Sequence, residues 1–383
     1  MITINDKQKC SGCHACFSAC PKNCISMKAD DEGFLYPVVD EQSCVNCGLC
    51  DKVCPILNKN QSKSSIEAYA VKSNDEYIRQ NSSSGGFFSV VSEWVLSQGG
   101  IVFGASFDKK LNVIHQSVDN SEGLERLRGS KYVQSIIGDT YLQAKAFLEK
   151  GRMVYYTGTP CQIEGLLSFL SKPYDNLITS DIICHGVPSP AVWQKYLDSY
   201  SKNDGTVVSK ASFRNKDEGW KRFSMKLELS NDEQYRKMFL NDDFMLAFLK
   251  NYCLRPSCYG CSFKTIERPS DFTLADFWGI EKMLPEMDDD KGTSLVLVNS
   301  EKGQMLFDKL KNRITFEKVN GNEAIKYNIA AVESMVEPKG RDVFMKKVTS
   351  KNFGKMVKKH CSGSFADRIK ANMYKIAAKL LRR

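Results

Sequence analysis

The chain has 383 residues, of which 42% are hydrophobic, enough for about two or three domains around a substantial core. No run of about 18 apolar residues is present, and the first residues are polar, which argues against a membrane-spanning helix and against a signal peptide; a cytoplasmic protein is expected. The formal charge of +9 is uneven: from Val336 onward there are 14 Lys and Arg against 3 Asp and Glu, leaving 40 basic and 42 acidic residues elsewhere, so the basic character belongs to a tail.

Nine of the 15 cysteines fall within the first 54 residues. Cys10-x2-Cys13-x2-Cys16-x3-Cys20-Pro21 recurs 34 residues later as Cys44-x2-Cys47-x2-Cys50-x3-Cys54-Pro55. Three closely spaced thiolates wrap three corners of a cubane iron–sulfur cluster, and in two-cluster ferredoxins the last cysteine of each run serves the other cluster. The spacing therefore predicts two [4Fe–4S] clusters, one on Cys10, Cys13, Cys16 and Cys54, the other on Cys44, Cys47, Cys50 and Cys20. Zinc is satisfied by paired cysteines and leaves the third cysteine of each run and the following prolines without a role. Cys24 is surplus and reads as a small buried side chain. Between the runs, residues 25–40 alternate apolar and polar around Asp31-Glu32-Gly33, a hairpin pattern. Residues 1–57 thus read as a ferredoxin module stapled by crossed ligation, and 58–66 as a polar linker.

From Glu67 the pattern becomes α/β. Strands are expected at 68–72, 101–107, 113–118, 153–156 and 178–184, and helices at 87–95, 139–150, 161–170 and 190–200. A β-rich stretch follows at 207–213, 223–229 and 272–277. The fold class is mixed α/β, with 67–150 and 151–335 as two parts of one body and 336–383 as a basic tail. Ser364 is placed to cap a closing helix with Phe365, Ile369, Met373, Ile376 and Leu380 along one face. Docking on the body is its simplest role; contact with an anionic membrane surface or an acidic partner is the alternative, giving peripheral attachment at the inner face of the membrane. No interleaved aromatic residues support nucleic-acid binding.

Six cysteines lie beyond the module: Cys161, Cys184, Cys253, Cys258, Cys261 and Cys361. Cys161 begins a helix, where backbone amides favour a thiolate. Cys184 ends a strand, and Cys258-x2-Cys261 lies in a turn-rich segment. By spacing, these are ligands of a third cluster, buried structural cysteines, or, for Cys161, a redox-active thiol.

Six short motifs occur in order: Ser82-Ser83-Ser84-Gly85-Gly86-Phe87, Arg128-Gly129-Ser130-Lys131-Tyr132-Val133-Gln134, Tyr156-Thr157-Gly158-Thr159-Pro160-Cys161-Gln162, Cys184-His185-Gly186-Val187-Pro188-Ser189-Pro190, Cys258–Lys264 and Ala275-Asp276-Phe277-Trp278-Gly279. Together they resemble the coenzyme F420 hydrogenase/dehydrogenase beta-subunit family, over roughly residues 67–333. The resemblance implies a bound FAD and a body [4Fe–4S] cluster on Cys161, Cys184, Cys258 and Cys261, with Cys253 competing for a corner. It further implies that Ser84, Gly85, Gly86, Ser130, Lys131 and Tyr132 line the flavin.

The expected function is that of an iron–sulfur flavoprotein oxidoreductase, exchanging a hydride with coenzyme F420 or another small organic substrate, and electrons with a redox partner protein or a donor such as ferredoxin. The alternative is an electron-transfer subunit without a substrate site. No catalytic acid stands out; His185 beside Cys184 suits an orienting role as well as proton transfer. The chain has no Gly-x-Gly-x-x-Gly after a strand, no Walker loop and no Cys-x3-Cys-x2-Cys run, which leaves a Rossmann nicotinamide site, a phosphate loop and radical chemistry with S-adenosylmethionine unsupported.

Overall fold

The computed structural model describes residues 1–59, 67–202, 204–348 and 351–361. The expected closing helix falls within 362–383 and lies outside the described residues.

The N-terminal module is built on the hairpin of β1 (Ile25–Ala29) and β2 (Leu35–Val39), antiparallel with Ile25 opposite Val39. The Asp30 side chain accepts from the amides of Glu32 (3.1 Å) and Phe34 (3.0 Å) and closes the turn. The cysteine repeat is also a backbone repeat. Gly12 and His14 have φ of +67° and +63°, and Asn46 and Gly48, 34 positions on, have +51° and +74°. Each loop thus makes left-handed steps at equivalent places; Gly and Asn tolerate that region best.

Three body strands precede residue 150: β3 (Glu67–Ser73), β4 (Ile101–Phe107) and β5 (Val113–Val118). They share an eight-stranded sheet with β6 (Val154–Thr157) and β7 (Leu177–Ile182). Beyond these, β8 (Val208–Asn215), β9 (Ser224–Leu229) and β10 (Gln234–Met238) form a separate antiparallel sheet, and β11 (Phe272–Asp276), β12 (Ser294–Val298) and β13 (Ile314–Val319) complete the large one. Its order is β13-β3-β12-β11-β7-β6-β4-β5, with β4, β6, β7 and β11 parallel at the centre and antiparallel strands at both sides. Successive residues serve opposite faces. Val102 and Tyr155 pack with Phe87, Val91 and Val95 of the helix Phe87–Ser97, whereas Phe103, Val154 and Tyr156 pack with the helices Thr140–Glu149 and Pro160–Leu170. Helices on both faces of a parallel centre are the mixed α/β class that the alternating pattern predicts.

The regular part of β7 stops at Ile182, two residues short of the expected end, so Cys184 lies past the sheet. The sequence reading also passed over β12, whose residues are all buried and therefore show no alternation, and the amphipathic helix Glu301–Leu310. The small sheet and the helices Pro190–Asp198 and Asp243–Leu249 enclose a second core around Trp193, Tyr196, Phe213, Met225 and Phe244. The helix Phe353–Cys361 closes it with Phe353, Met356 and Val357.

The module is docked on this body by polar anchors. Arg341, on the helix Arg341–Val348, donates to both Glu32 carboxylate oxygens (2.9 and 2.6 Å) at the hairpin tip, and to Leu254 O (2.8 Å). Ser189 donates to Glu32 O, and Gly33, at φ +82°, leaves room for Ala191, whose backbone nitrogen would lie 2.7 Å from an added Cβ. Removing one partner of a mostly buried ion pair strands the other charge. Glu32→Ala is therefore expected to cost at least about 2 kcal/mol in urea unfolding of the intact protein; a loss within about 0.5 kcal/mol, typical of surface substitutions, would show that the anchor is not structural.

Candidate functional site

Within the module, Cys20, Cys24, Cys44, Cys47 and Cys50 line one space of about 360 Å³ together with Ile25, Val39 and Leu49. The Ile2 amide donates to Cys50 Sγ at 3.3 Å. Cys24 is buried, as expected, but lies within this ring rather than apart from it, its sulfur 3.3 Å from that of Cys20. Cys10 and Cys54 stand near Cys16; burial first, and then their charges, push the Cys16 thiol up to about 12. Both runs are thus brought together in the crossed sense, Cys54 with the first and Cys20 with the second. Among the described residues no group of three or more His, Cys, Asp or Glu side chains is arranged to hold a single metal ion; the thiols of the second run line a wider space.

The body cysteines converge at the carboxyl ends of the parallel strands. β6 ends at Thr157, and Gly158-Thr159 leads into the helix that carries Cys161 near its start. Gln162 accepts from the Thr159 amide (2.9 Å) and pins this turn, while Thr159 Oγ1 lies 3.2 Å from Cys161 Sγ. Cys184 follows β7. Cys258 ends the short helix Pro256–Cys258, its sulfur accepting from the Val187 amide at 3.5 Å, and the Cys261 amide donates to Ser334 (2.9 Å). All four line a single cavity of about 570 Å³, partly open to solvent, with His185, Lys264 and Arg268 in its wall. Ligands in open α/β sheets bind at such strand ends. Cys253 does not line it; fully buried, it belongs to the second core with Cys361.

The environment of these thiols is protein-enclosed and cationic. Burial pushes Cys161, Cys184 and Cys258 each up to about 12. For Cys161 burial outweighs the Thr159 hydroxyl and the Arg255 charge, which favour the thiolate. Lys264 donates to Cys184 O and to Ala330 O (2.7 Å), and Arg268 pairs with the buried Asp181 at 3.3 Å. Such thiols ionise when a cation takes the place of the proton, so the donor set and the surrounding charge fit an anionic iron–sulfur cluster. His185 donates to Asn251 Oδ1 (2.7 Å) and packs edge-on against Phe248. Burial lowers its pKa.

The cavity reaches the module. Ser11 and Ile56 contribute to its wall, and Gly165, one turn into the helix after Cys161, faces Cys13: an added Cβ would lie 2.9 Å from Cys13 Cβ and 3.0 Å from its sulfur. His115 on β5 supports the same turn, donating from Nε2 to Thr157 O (2.9 Å) and accepting at Nδ1 from Ser135. Sequence reasoning missed Gly165, His115 and Arg255; the last had a visible signal, sitting three residues before Cys258.

The two motifs named for the flavin also meet. Ser83 Oγ accepts from the Ser130 amide (2.7 Å), and Ser83 O accepts from Arg214 and Trp220 (3.1 Å each). Ser84 donates to Thr293 O (2.8 Å). Lys131 is half-buried; burial pulls its pKa down to about 7 while its Nζ donates to Arg126 O (2.9 Å) and Arg128 O (2.8 Å). Tyr132 packs edge-on to Phe213 and tilted against Phe248. The bareness of Gly85 and Gly86 is used by the fold itself: an added Cβ would lie 2.1 Å from Val71 O at Gly85 and 2.7 Å from Ile78 at Gly86.

Fold and thiol pattern define an iron–sulfur protein with an α/β body, and comparison with known proteins names its parts. Residues 9–57 match the 4Fe-4S dicluster domain, so the N-terminal module is of the two-[4Fe–4S] kind. Residues 151–324 match the C terminus of the coenzyme F420 hydrogenase/dehydrogenase beta subunit. A solved chain of the xenon-derivatized F420-reducing [NiFe] hydrogenase complex from Methanosarcina barkeri is similar at 15% identity and a TM-score of 0.47, covering 76% of this chain and 94% of that one. Among curated proteins there is no match. Among the described residues no helix is long and apolar enough to cross a membrane.

Two outcomes follow from this packing. Gly→Ala in an open helix interior stabilises by about 1 kcal/mol, but Gly165→Ala forces its methyl onto Cys13 and is expected to lose about 1–3 kcal/mol in urea unfolding; stabilisation would refute the contact. Burial holds the His115 imidazole down to about 4 from an ordinary 6.5. The unfolded chain therefore binds more protons between those values, so this stability is complete above pH 6.5 and is lost as pH falls toward 4, by about 3 kcal/mol in total. In His115→Gln, urea midpoints between about pH 6.5 and 5 should fall less steeply than in the parent; an unchanged slope would count against it.

Proposed function

We propose that this chain is an iron–sulfur flavoprotein oxidoreductase. In this reading the two module clusters exchange electrons with a third [4Fe–4S] cluster on Cys161, Cys184, Cys258 and Cys261, and with an FAD. The observation that carries it is the convergence of those four cysteines on one cavity at the sheet's carboxyl end, against the Cys13 loop of the module. A body site partly open to solvent, beside a module with an exposed Cys47, suits a conduit from a protein partner to a reaction site in the body. The module clusters are assigned as the spacing predicts: Cys10, Cys13, Cys16 and Cys54 for one, Cys44, Cys47, Cys50 and Cys20 for the other.

FAD supplies the conversion between single electrons and a hydride exchanged with coenzyme F420 or another small organic substrate. Support for it is the meeting of the Ser83–Ser84 and Ser130–Tyr132 segments beside Arg214, whose guanidinium lies 4.0 Å from the Phe223 ring and pairs with Asp276 at 3.0 Å. Ser84, Ser130 and Lys131 offer polar groups there, and Tyr132 an aromatic wall. The protein partner is a redox protein such as a ferredoxin, and the setting is the cytoplasm.

Protein purified without oxygen is expected to hold about twelve irons, four per cubane, and about one flavin released on denaturation. Cys184→Ser and Cys258→Ser should each fall to about eight irons with the module clusters retained. Eight irons in the parent would remove the third cluster. Twelve irons with no flavin would leave an electron-transfer subunit without a substrate site.

A further inference from the structure

Resting on the reading that Cys10 is a cluster ligand, we propose that Arg255 is the buried counter-cation of that cluster, binding it to the body and raising its reduction potential. Arg255 is fully buried, at 0% exposure. Its four hydrogen bonds go to Cys10 O (Nε, 2.8 Å), Gln134 Oε1 (Nη1, 2.8 Å), Leu35 O (Nη2, 2.9 Å) and Cys10 Sγ (Nη2, 3.7 Å), with no carboxylate among them. Tyr36 and Phe34 present ring faces at 4.2 and 5.4 Å. A buried guanidinium held only by neutral acceptors and rings is costly in a folded protein. The cost is offset when Cys10 is a thiolate, because the sulfur contact then becomes a charge-assisted hydrogen bond.

The placement favours arginine over lysine. The forked guanidinium reaches the first cysteine loop, the β2 end of the hairpin and the segment beside Ser130–Gln134 at once, which a point charge on a single stem does not. Gln134 in turn donates to Ser11 O at 3.0 Å, closing the frame around Cys10. Gly12 is bare where this frame is tightest: an added Cβ would lie 2.7 Å from Arg255 Nη1. From the same position the arginine's charge acts on Cys161 and Cys258, against the effect of burial, so it stands between module and body thiols. Reduction adds one negative charge to a cluster, and a fixed cation in a low-dielectric surrounding favours the reduced form.

The test compares Arg255→Gln and Arg255→Lys with the parent, all full-length and reconstituted with iron and sulfide without oxygen. Iron and sulfide are counted first, and cluster midpoints are then read by potentiometric titration followed by electron paramagnetic resonance. Arg255→Gln is expected to keep its iron and to show, for one module cluster, a reduced-to-oxidised ratio about tenfold lower at the parent midpoint, or about 59 mV for one electron. Arg255→Lys should recover most of that shift. Should Arg255→Gln lose iron, the contrast moves to iron content: retention in Arg255→Lys supports the countercharge, and equal loss overturns it. Unchanged midpoints in fully loaded Arg255→Gln, or equal shifts in both variants, would also overturn it. A parent without iron would instead overturn the cluster reading itself.

Discussion

The contact between the first cysteine loop and the start of the helix after β6 is the constraint on which the proposed electron path depends. Electron carriers in separate domains communicate only if the domains are held in one geometry, and here Cys13, Ala15 and Val53 of the module share a buried apolar cluster with Tyr141, Ile163 and Leu166 of the body. Gly165 removes the side chain that would keep Cys13 away, and Arg255 and Arg341 tie the hairpin to the body. Each arginine uses several donors on different segments, so directional bonds add specificity to that apolar packing. Such a dock tolerates little rotation, which is what a short path between carriers requires.

The same packing explains why the site is inert until loaded. Burial raises the Cys16, Cys161, Cys184 and Cys258 thiols, so a protein without metal holds them neutral. In the proposed reading, iron would take the place of those protons, and the countercharges Lys264, Arg268 and Arg255 are already in position. Folding and loading are therefore coupled, and the cations that look expensive in the polypeptide alone are matched once thiolates form. The His115–Thr157 bond and the Gln162–Thr159 bond fix the backbone that carries Cys161, so they work whether or not metal is bound.

Much of this was legible in the sequence because it is written in local patterns. The cysteine runs carry their own spacing, and the 34-residue repeat extends to the backbone, with Gly12 and His14 answered by Asn46 and Gly48. Strands β4 and β5 were readable to the residue because each is bounded by turn signals. What escaped depends on partners distant in sequence. Arg255 reads as an ordinary cation until the chain brings it to Cys10, 245 positions away. Gly165 reads as a weak point in a helix, and β12 lacks alternation because both its faces are covered. Gly85 and Gly86 are bare where Val71, Ser294 and Ile78 of the protein approach closely, contacts that no local pattern announces.

The asymmetry between the module's two thiol sets gives the path a sense of place. The set with Cys47 and the apolar Val45 and Leu49 lies toward solvent, with all three exposed, and has no contact with the body among its lining residues. The set with Cys10 and Cys13 is turned inward, against Arg255 and Gly165. In the proposed reading a protein partner meets the outer set first, and electrons pass between it and the body cavity by way of the inner set. Because Arg255 is a body residue buried against the inner set, the body then shares in setting that set's affinity for an electron. An isolated module would lose that control, which gives a physical reason for the two parts to share one chain rather than meet as separate proteins.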